Sequence, residues 1–288
     1  MARCLVTGHK GYIGSRLYKQ LIELGHEVLG IDLNSENQHD VIDVLKEGSK
    51  YYDFQPEFIF HLACWPRMSQ CMENPIETMK NNVLAGSTVL DFARKCKSVR
   101  RVIYSSSSSI HGNGSGPTNQ YALQKYTTEI ETSIYAQIYD IDTVSLRYFN
   151  VYSEDQIASG PYATVVAHWR FSLLNEVCPY ITGDGEQRRD MLHVSDAVSA
   201  NLFAMNYNGK FAGKAFDVGT GTNISLNEIK EIVLSKHDVC FNYVEPRLGE
   251  VMISKAKVDD LRNIGWTASI SLEEGINRCF NFEVNNER

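Results

Sequence analysis

The chain has 288 residues, enough for one large domain or two closely packed domains with a sizeable core. Its 43% hydrophobic and 22% charged residues are typical of a soluble globular protein, and its net charge of -7 argues against nucleic-acid or anionic-membrane partners, which attract basic surfaces. The seven cysteines include no Cys-x-x-Cys pair, a pattern that favours free thiols in a reducing cytoplasm and argues against a metal site. No apolar run approaches ~20 residues, so we predict no membrane span and no signal peptide.

The first half of the chain alternates between strand and helix patterns. Short, nearly continuous apolar runs predict strands over residues 3–7, 27–32, 58–63, 101–106 and 143–148. Helical patterns between and after them cover residues 14–24, 41–52, 82–95 and 121–139. Apolar strands that alternate with helices predict a doubly wound parallel sheet of the Rossmann type, an α/β fold that binds ligands at the carboxyl ends of its strands.

The second half is less regular. It contains helical patterns around residues 163–174, 195–205 and 272–282, and a turn at Gly183-Asp184-Gly185. We predict a larger dinucleotide-binding domain over residues 1–150, with residues 189–216 packing back on its sheet. A smaller substrate-binding domain is predicted over residues 151–288.

A glycine-rich loop joins the first predicted strand to the first predicted helix. Gly8, Gly11 and Gly14 are spaced three residues apart. Glycine is needed where a chain turns tightly, where backbone approaches a pyrophosphate, and where a helix packs closely on a strand. The helix N-terminus then faces the phosphates. The alternative is a tight strand-helix turn without a ligand.

Two acidic residues follow the second predicted strand. Asp32 ends the strand, where its carboxylate can accept hydrogen bonds from both ribose hydroxyls and repel a 2′-phosphate. This position favours NAD over NADP, and the alternative is a cap on the following turn. Asp40 and Val41 are candidates for contact with the adenine, although Asp40 is about as typical of a helix N-cap.

A tyrosine with a lysine four residues later occurs further along the chain. Of the 15 tyrosines, Tyr121 alone has this partner, Lys125. Residues four apart share a helix face, so Lys125 can favour the Tyr121 phenolate or bind a cofactor ribose. Such an isolated pair is most often a solvated helix pair. The serine run over residues 105–109 and the glycine loop are the context that favours a catalytic role.

Together these motifs resemble the extended short-chain dehydrogenase/reductase family, specifically its NAD-dependent nucleotide-sugar epimerases and dehydratases. The likeness covers nearly the whole chain and includes segments 60–63, 81–83, 146–152, 183–190 and 216–221. The resemblance implies NAD as cofactor. It implies these cofactor-binding residues: Gly8, Gly11, Tyr12, Ile13, Gly14, Asp32, Asp40, Val41, Leu62, Ala63, Asn81, Lys125 and Tyr148.

The resemblance also implies a catalytic trio. Ser107 would hydrogen-bond the sugar 4-hydroxyl, Tyr121 would be the acid/base, and Lys125 would bind the nicotinamide ribose and lower the pKa of Tyr121. This agrees with the chemistry, because hydride removal from a carbinol carbon requires a positioned base for the hydroxyl proton.

The resemblance implies that Ser107 and Tyr121 also bind the sugar of the substrate. It implies three further residues that bind the nucleotide diphosphate of the substrate. They are Asn150, Arg189 and Arg247, and the planar arginine fork suits phosphate oxygens. The alternatives are ion pairs for the two arginines and a backbone hydrogen bond for Asn150.

The residues after Ser107 distinguish among the reactions of this family. Dehydratases and sugar-acid decarboxylases tend to carry a carboxylate there, whereas this chain has Ser108 and Ser109. We therefore predict an NAD-dependent 4-epimerase that acts through a transient 4-keto sugar, with UDP-hexose as the expected substrate. The alternatives are a 4-keto-sugar reductase, a 4,6-dehydratase and a non-catalytic dinucleotide-binding scaffold. The resemblance further implies a homodimer through helices 82–95 and 121–139.

Overall fold

A six-stranded sheet lies at the centre of this computed structural model, which describes residues 1–34, 40–157, 164–246 and 251–282. The strands are β1 (Arg3–Thr7), β2 (Glu27–Ile31), β3 (Phe58–His61), β4 (Arg101–Ser107), β5 (Thr143–Tyr148), β6 (Tyr180–Thr182), β7 (Arg188–Arg189), β8 (Lys214–Val218), β9 (Ile224–Ser225), β10 (Asn242–Val244) and β11 (Ile253–Ser254). The sheet order is β2-β1-β3-β4-β5-β8, and the pairs β1–β2, β1–β3 and β3–β4 are parallel. The carboxyl ends of β1 and β3 therefore form the topological switch point, where such sheets bind ligands. The predicted fold class is confirmed.

The predicted helices are present with two differences, and four further helices were not predicted. The helices are α1 (Tyr12–Glu23), α2 (Val41–Val44), α3 (Lys50–Asp53), α4 (Met68–Glu73), α5 (Pro75–Met79), α6 (Ala85–Lys95), α7 (Gln120–Tyr139), α8 (Val165–Leu174), α9 (Val194–Asn206), α10 (Leu226–Leu234), α11 (Asp259–Asn263) and α12 (Leu272–Cys279). The four that were not predicted are α4, α5, α10 and α11. The single helix predicted over residues 41–52 is wrong, because Gly48, at a φ of 73°, lies in the turn that separates α2 from α3. A π-helical turn, Lys80–Leu84, leads into α6. No helix in the described part of the chain combines the length and apolar character needed to span a bilayer.

The chain divides into two compact units. The first unit comprises Met1–Arg147 and Ala197–Phe216, and the second comprises Tyr148–Asp196 and Asp217–Arg288. Each has its own hydrophobic cluster. Buried members of the first include Leu5, Ile59, Val89, Leu90 and Phe92. Buried members of the second include Trp169, Ile181, Ile229, Val233 and Ile276.

Helix α7 has a polar inner face and an apolar outer face. Its buried residues are Ala122, Gln124, Lys125, Thr128, Glu129 and Thr132, nearly all polar. Its exposed large hydrophobic residues include Leu123, Ile130, Ile134 and Ile138, and Ile138 is 67% exposed. Amphipathic helices of globular proteins normally show the opposite arrangement. The polar contacts of the inner face therefore have to position this helix on the sheet.

Two of the seven cysteines form a disulfide. Cys178 and Cys240 have Cα atoms 5.4 Å apart, a normal separation for this bond. They come shortly before β6 and β10, which are paired strands with Tyr180 opposite Asn242. The prediction of free thiols is therefore wrong for this pair, since the sequence does not reveal that these two strands are neighbours. The other five cysteines are free.

Candidate active site

The glycine loop lies at the switch point, between β1 and α1. Gly8 has a φ of 73°, and a Cβ atom there would lie 2.7 Å from the backbone nitrogen of Ala63. A Cβ atom on Gly14 would collide with the Gly8 carbonyl oxygen. Gly11 is the N-cap of α1, whose first turn carries no acidic residue. The loop thus presents bare backbone at a positive helix end, which fits a dinucleotide pyrophosphate.

The two acidic residues after β2 are held by backbone amides. The Asp32 carboxylate accepts hydrogen bonds from the amides of Lys10 and Asn34, both at 2.9 Å. This fixes the carboxylate beside the glycine loop, where the ribose of a dinucleotide is expected. Asp40 caps α2 by accepting the Ile42 amide at 3.0 Å, and Val41 is buried in the core. Both thus have structural roles, and their contact with adenine stays a prediction.

The loop after β3 borders the glycine loop. The Leu62 amide donates to the Thr7 carbonyl at 3.1 Å, and the Ala63 amide donates to the Thr7 hydroxyl at 3.3 Å. These bonds hold the predicted cofactor residues Leu62 and Ala63 at the switch point. The remaining candidates lie at element ends, Tyr12 and Ile13 at the start of α1 and Tyr148 at the end of β5.

The asparagine pair in the π-helical turn has divided roles. The Asn81 side chain donates to the carbonyl of Glu77 within its own helical segment. Asn82 instead holds the loop after β3, because its side chain accepts the Trp65 amide at 2.6 Å and donates to the Trp65 carbonyl at 3.0 Å. It also donates to Gln124, next to Lys125 on α7. Asn81 was the predicted cofactor residue of this pair and Asn82 was not predicted, although the pair itself was a signal in the sequence.

The predicted catalytic trio is brought together in the first unit. Ser107 ends β4, and its side chain hydrogen-bonds that of Tyr121 in the first turn of α7. The Lys125 side chain is buried one turn later and donates from Nζ to the Ser105 carbonyl at 2.7 Å. Ser109 donates both its amide and its hydroxyl to the Ser107 Oγ. A hydroxyl, a phenol and an ammonium group thus converge at the carboxyl end of β4.

The pKa of Tyr121 reflects two opposing influences. Burial raises the pKa of the phenol above its ordinary value, because the surrounding protein atoms disfavour the phenolate. The positive charge of Lys125 and the hydrogen bond from Ser107 lower the pKa. Lys125 thus lowers the pKa of Tyr121 in the predicted direction, although burial has the larger effect.

A separate cavity of about 330 Å³ lies within the second unit. Its lining includes Asn150 and Arg189, two of the three residues predicted to bind the nucleotide diphosphate. Asn150 has a φ of 37° and donates to the Asp190 carbonyl at 2.6 Å, and Arg189 donates to the Arg188 carbonyl at 3.0 Å. The third predicted residue, Arg247, lies outside the described residues.

Comparisons with known proteins identify the family of this chain. A profile of the NAD-dependent epimerase/dehydratase family matches residues 4–219. The chain is 31% identical to a UDP-glucose 4-epimerase of Mycolicibacterium smegmatis, over 97% of this chain and 98% of the relative.

Solved structures are similar over almost the full chain. One is a UDP-glucose 4-epimerase of Thermotoga maritima with UDP-glucose, with a TM-score of 0.86, 29% identity, and coverage of 96% of this chain and 97% of the other. Another is a UDP-N-acetylglucosamine 4-epimerase of Methanobrevibacter ruminantium in complex with UDP-N-acetylmuramic acid, with a TM-score of 0.86, 26% identity and 97% coverage of both chains. The predicted family and cofactor are confirmed. The chain therefore belongs to the NAD-dependent epimerase/dehydratase family, and it is an NAD-dependent epimerase of the extended short-chain dehydrogenase/reductase type.

Proposed function

We propose that this enzyme is a nucleotide-sugar 4-epimerase that acts through a transient 4-keto sugar, with UDP-hexose as its substrate. The observation that carries the proposal is the convergence of Ser107, Tyr121 and Lys125 at the end of β4. Lys125 is bonded to the Ser105 carbonyl at 2.7 Å, so its charge is fixed one helical turn from the phenol.

Each side chain of the trio has a distinct task in this reaction. Bound NAD would supply the hydride acceptor and hydride donor for the sugar carbon. Gly8, Gly11 and Gly14 would hold its pyrophosphate, and Asp32 its ribose. The Tyr121 phenolate removes the 4-hydroxyl proton, is a neutral phenol while the sugar is a ketone, and then gives the proton back. Lys125 stabilises the phenolate before the first transfer and after the second.

The residues beside the trio favour epimerisation over elimination. Ser108 and Ser109 follow Ser107 and begin a 3-10 helix. Elimination of the C6 hydroxyl needs a second group that takes the C5 proton, and hydroxyls are poor bases at neutral pH. A single phenol with its lysine suffices for epimerisation, because one proton leaves and the same proton returns.

The test uses the purified protein with UDP-glucose, UDP-N-acetylglucosamine and UDP-glucuronate, followed by NMR of the C4 proton. We expect conversion to the C4 epimer of at least one substrate, and a loss of about 10²- to 10⁴-fold in kcat for Tyr121→Phe. Tyr126→Phe, on the same helix but 39% exposed, is the matched control. A 6-deoxy-4-keto product would assign a dehydratase instead, and net consumption of added NADH with a 4-keto sugar would assign a reductase.

We also infer a homodimer that forms through the apolar outer face of α7. This face exposes Ile130 and Ile134 at 43% each, although both residues normally become buried. The predicted cytoplasmic location stays a prediction. The disulfide between Cys178 and Cys240 weighs against it, because such bonds are rare in reducing compartments.

A further inference from the structure

The end of β4 is attached to α7 at three consecutive residues. The Ser105 carbonyl accepts the Lys125 ammonium at 2.7 Å, and the Ser106 hydroxyl donates to the Glu129 carboxylate at 2.6 Å. The Ser107 side chain bonds that of Tyr121. The three partners on α7 are four residues apart and share one face of the helix. Glu129 is therefore the third member of the stripe that carries Tyr121 and Lys125.

Glu129 is itself held from a second strand. Arg147, near the end of β5, donates from Nε to both carboxylate oxygens at 3.1 and 3.0 Å, and from Nη2 to one of them. The Glu129 side chain is only 6% exposed. Charge-assisted pairing of this kind fixes orientation as well as distance. The carboxylate thus joins β4, β5 and α7 directly beneath the catalytic trio.

We propose that Glu129 is a positioning residue that sets the register between Ser107 and the Tyr121–Lys125 pair. This role depends on the proposed function and follows from the geometry of the end of β4. Ser106 lies between the carbonyl that holds Lys125 and the hydroxyl that bonds Tyr121. If Ser106 shifts along α7, both bonds change together, and catalytic misplacement of about 1 Å can cost about 10²-fold in rate.

A purely structural role for Glu129 makes a different prediction. A buried ion pair that serves only folding would, when altered, lower the folded fraction and leave the turnover number of each folded molecule unchanged. A positioning role instead lowers kcat and leaves the KM for the nucleotide sugar unchanged, because Asn150 and Arg189, the predicted nucleotide contacts, belong to the second unit.

The experiment measures kcat and KM for the full chain with NAD in Ser106→Ala, Glu129→Gln and the double variant. Ser106→Ala removes the link to β4 and keeps the Glu129–Arg147 pair. We expect kcat to fall about 10- to 100-fold in each single variant, with KM changed less than about threefold. The double variant should be no slower than the slower single variant, because both substitutions act on the same Ser106–Glu129 contact.

Matched controls separate this role from a general effect on α7. Glu131→Gln alters another half-buried carboxylate of the helix, which accepts the Ser87 hydroxyl and has no bond to β4. It should keep kcat within about twofold. Ser106→Thr, which retains the hydroxyl, should recover most of the activity lost in Ser106→Ala. Single variants with kcat within twofold of the wild type, or fully multiplicative losses in the double variant, would overturn the proposal.

A second measurement applies even if the proposed function fails. If the wild type converts no nucleotide sugar, amide hydrogen exchange over residues 105–109 decides the matter. The positioning role requires faster exchange there in Ser106→Ala and Glu129→Gln and wild-type exchange in Glu131→Gln. Unchanged exchange in all three variants would exclude it.

Discussion

The Tyr121 hydroxyl has the raised pKa of a buried phenol, and Lys125 opposes that increase. Replacing Lys125 by methionine removes the positive charge, so the pKa of Tyr121 rises further. Proton removal from the sugar hydroxyl needs the phenolate, and the rising limb of kcat/KM against pH should therefore move to higher pH. At pH 7.5 we expect a loss of about 10- to 100-fold in kcat/KM, because a smaller fraction of Tyr121 is then phenolate.

The control for this prediction is Lys19→Met, because the Lys19 side chain on α1 is 78% exposed and pairs with Glu23 on the same helix. Its pH profile should coincide with that of the wild type. A Lys125→Met profile with the same midpoint and a lower plateau would mean that Lys125 acts only by holding its neighbours in place.

His61 is a buried neutral base beside the same site. Its Nδ1 hydrogen-bonds the Thr7 hydroxyl at 2.7 Å, and its ring stacks on Tyr104. Burial, with a smaller effect of Lys125, lowers the pKa of His61 to about 3. The unfolded chain therefore binds a proton that the folded protein does not bind, between about pH 6.5 and 3. Stability from this residue is full above pH 6.5 and decreases as the pH falls through that window.

Urea unfolding at pH 7, 6 and 5 tests this contribution. The free energy of unfolding should decrease by up to about 1.4 kcal/mol per pH unit more steeply in the wild type than in His61→Gln. Parallel pH dependences in the two proteins would show that His61 takes up a proton as readily in the folded state as in the unfolded chain.

Arg101 joins β4 to the segment that follows α9. Its guanidinium pairs with Asp142 at 2.6 Å and donates to the carbonyls of Tyr207 and Gly209 at 3.0 and 2.7 Å. Both side chains of the pair are under 10% exposed, at 8% and 7%. Arg101→Leu leaves Asp142 buried without this partner and should lower the free energy of unfolding by about 3–5 kcal/mol.

The matched comparison is Arg94→Leu, which removes an exposed pair with Asp91, whose side chains are 40% and 37% exposed. That change should leave the urea midpoint close to that of the wild type, because exposed ion pairs contribute little to stability. Equal losses in the two variants would mean that burial does not determine the strength of the Arg101 contacts.

The disulfide joins the segments that precede β6 and β10. Cys178 and Cys240 are 62 residues apart in sequence, so the bond closes a long loop. Loop-closure entropy predicts a stabilisation of about 2–4 kcal/mol. Dithiothreitol should lower the free energy of unfolding of the wild type by that amount and leave Cys178→Ser unchanged. Cys64→Ser, which retains the bond, should respond as the wild type does, and an insensitive wild type would contradict the prediction.

Across the whole molecule, local signals were readable from the sequence and long-range pairings were not. Gly8 and Gly14 could be predicted because their steric demands come from the adjoining strand and helix. The pairing of Asn82 with Trp65, and of Ser106 with Glu129, depends on which elements become neighbours. The amphipathic pattern of α7 is misleading about which face is buried, because its buried face is polar. Hydrogen bonds to two strands, not apolar packing, set the orientation of this helix.

The apolar outer face of α7 predicts that the protein assembles as a dimer. Exposed isoleucines at positions 130, 134 and 138 recur every four residues and form one apolar stripe on the helix. Contact with the same stripe of a second chain would bury it, since twofold symmetric interfaces are self-complementary. Ile130→Glu with Ile134→Glu places charges in that contact and should convert a dimer to a monomer of 32.5 kDa by sedimentation equilibrium. Phe171→Glu, on α8 and 55% exposed, should remain dimeric. A monomeric wild type at micromolar concentration would refute the dimer, and a dimeric double variant would place the interface elsewhere.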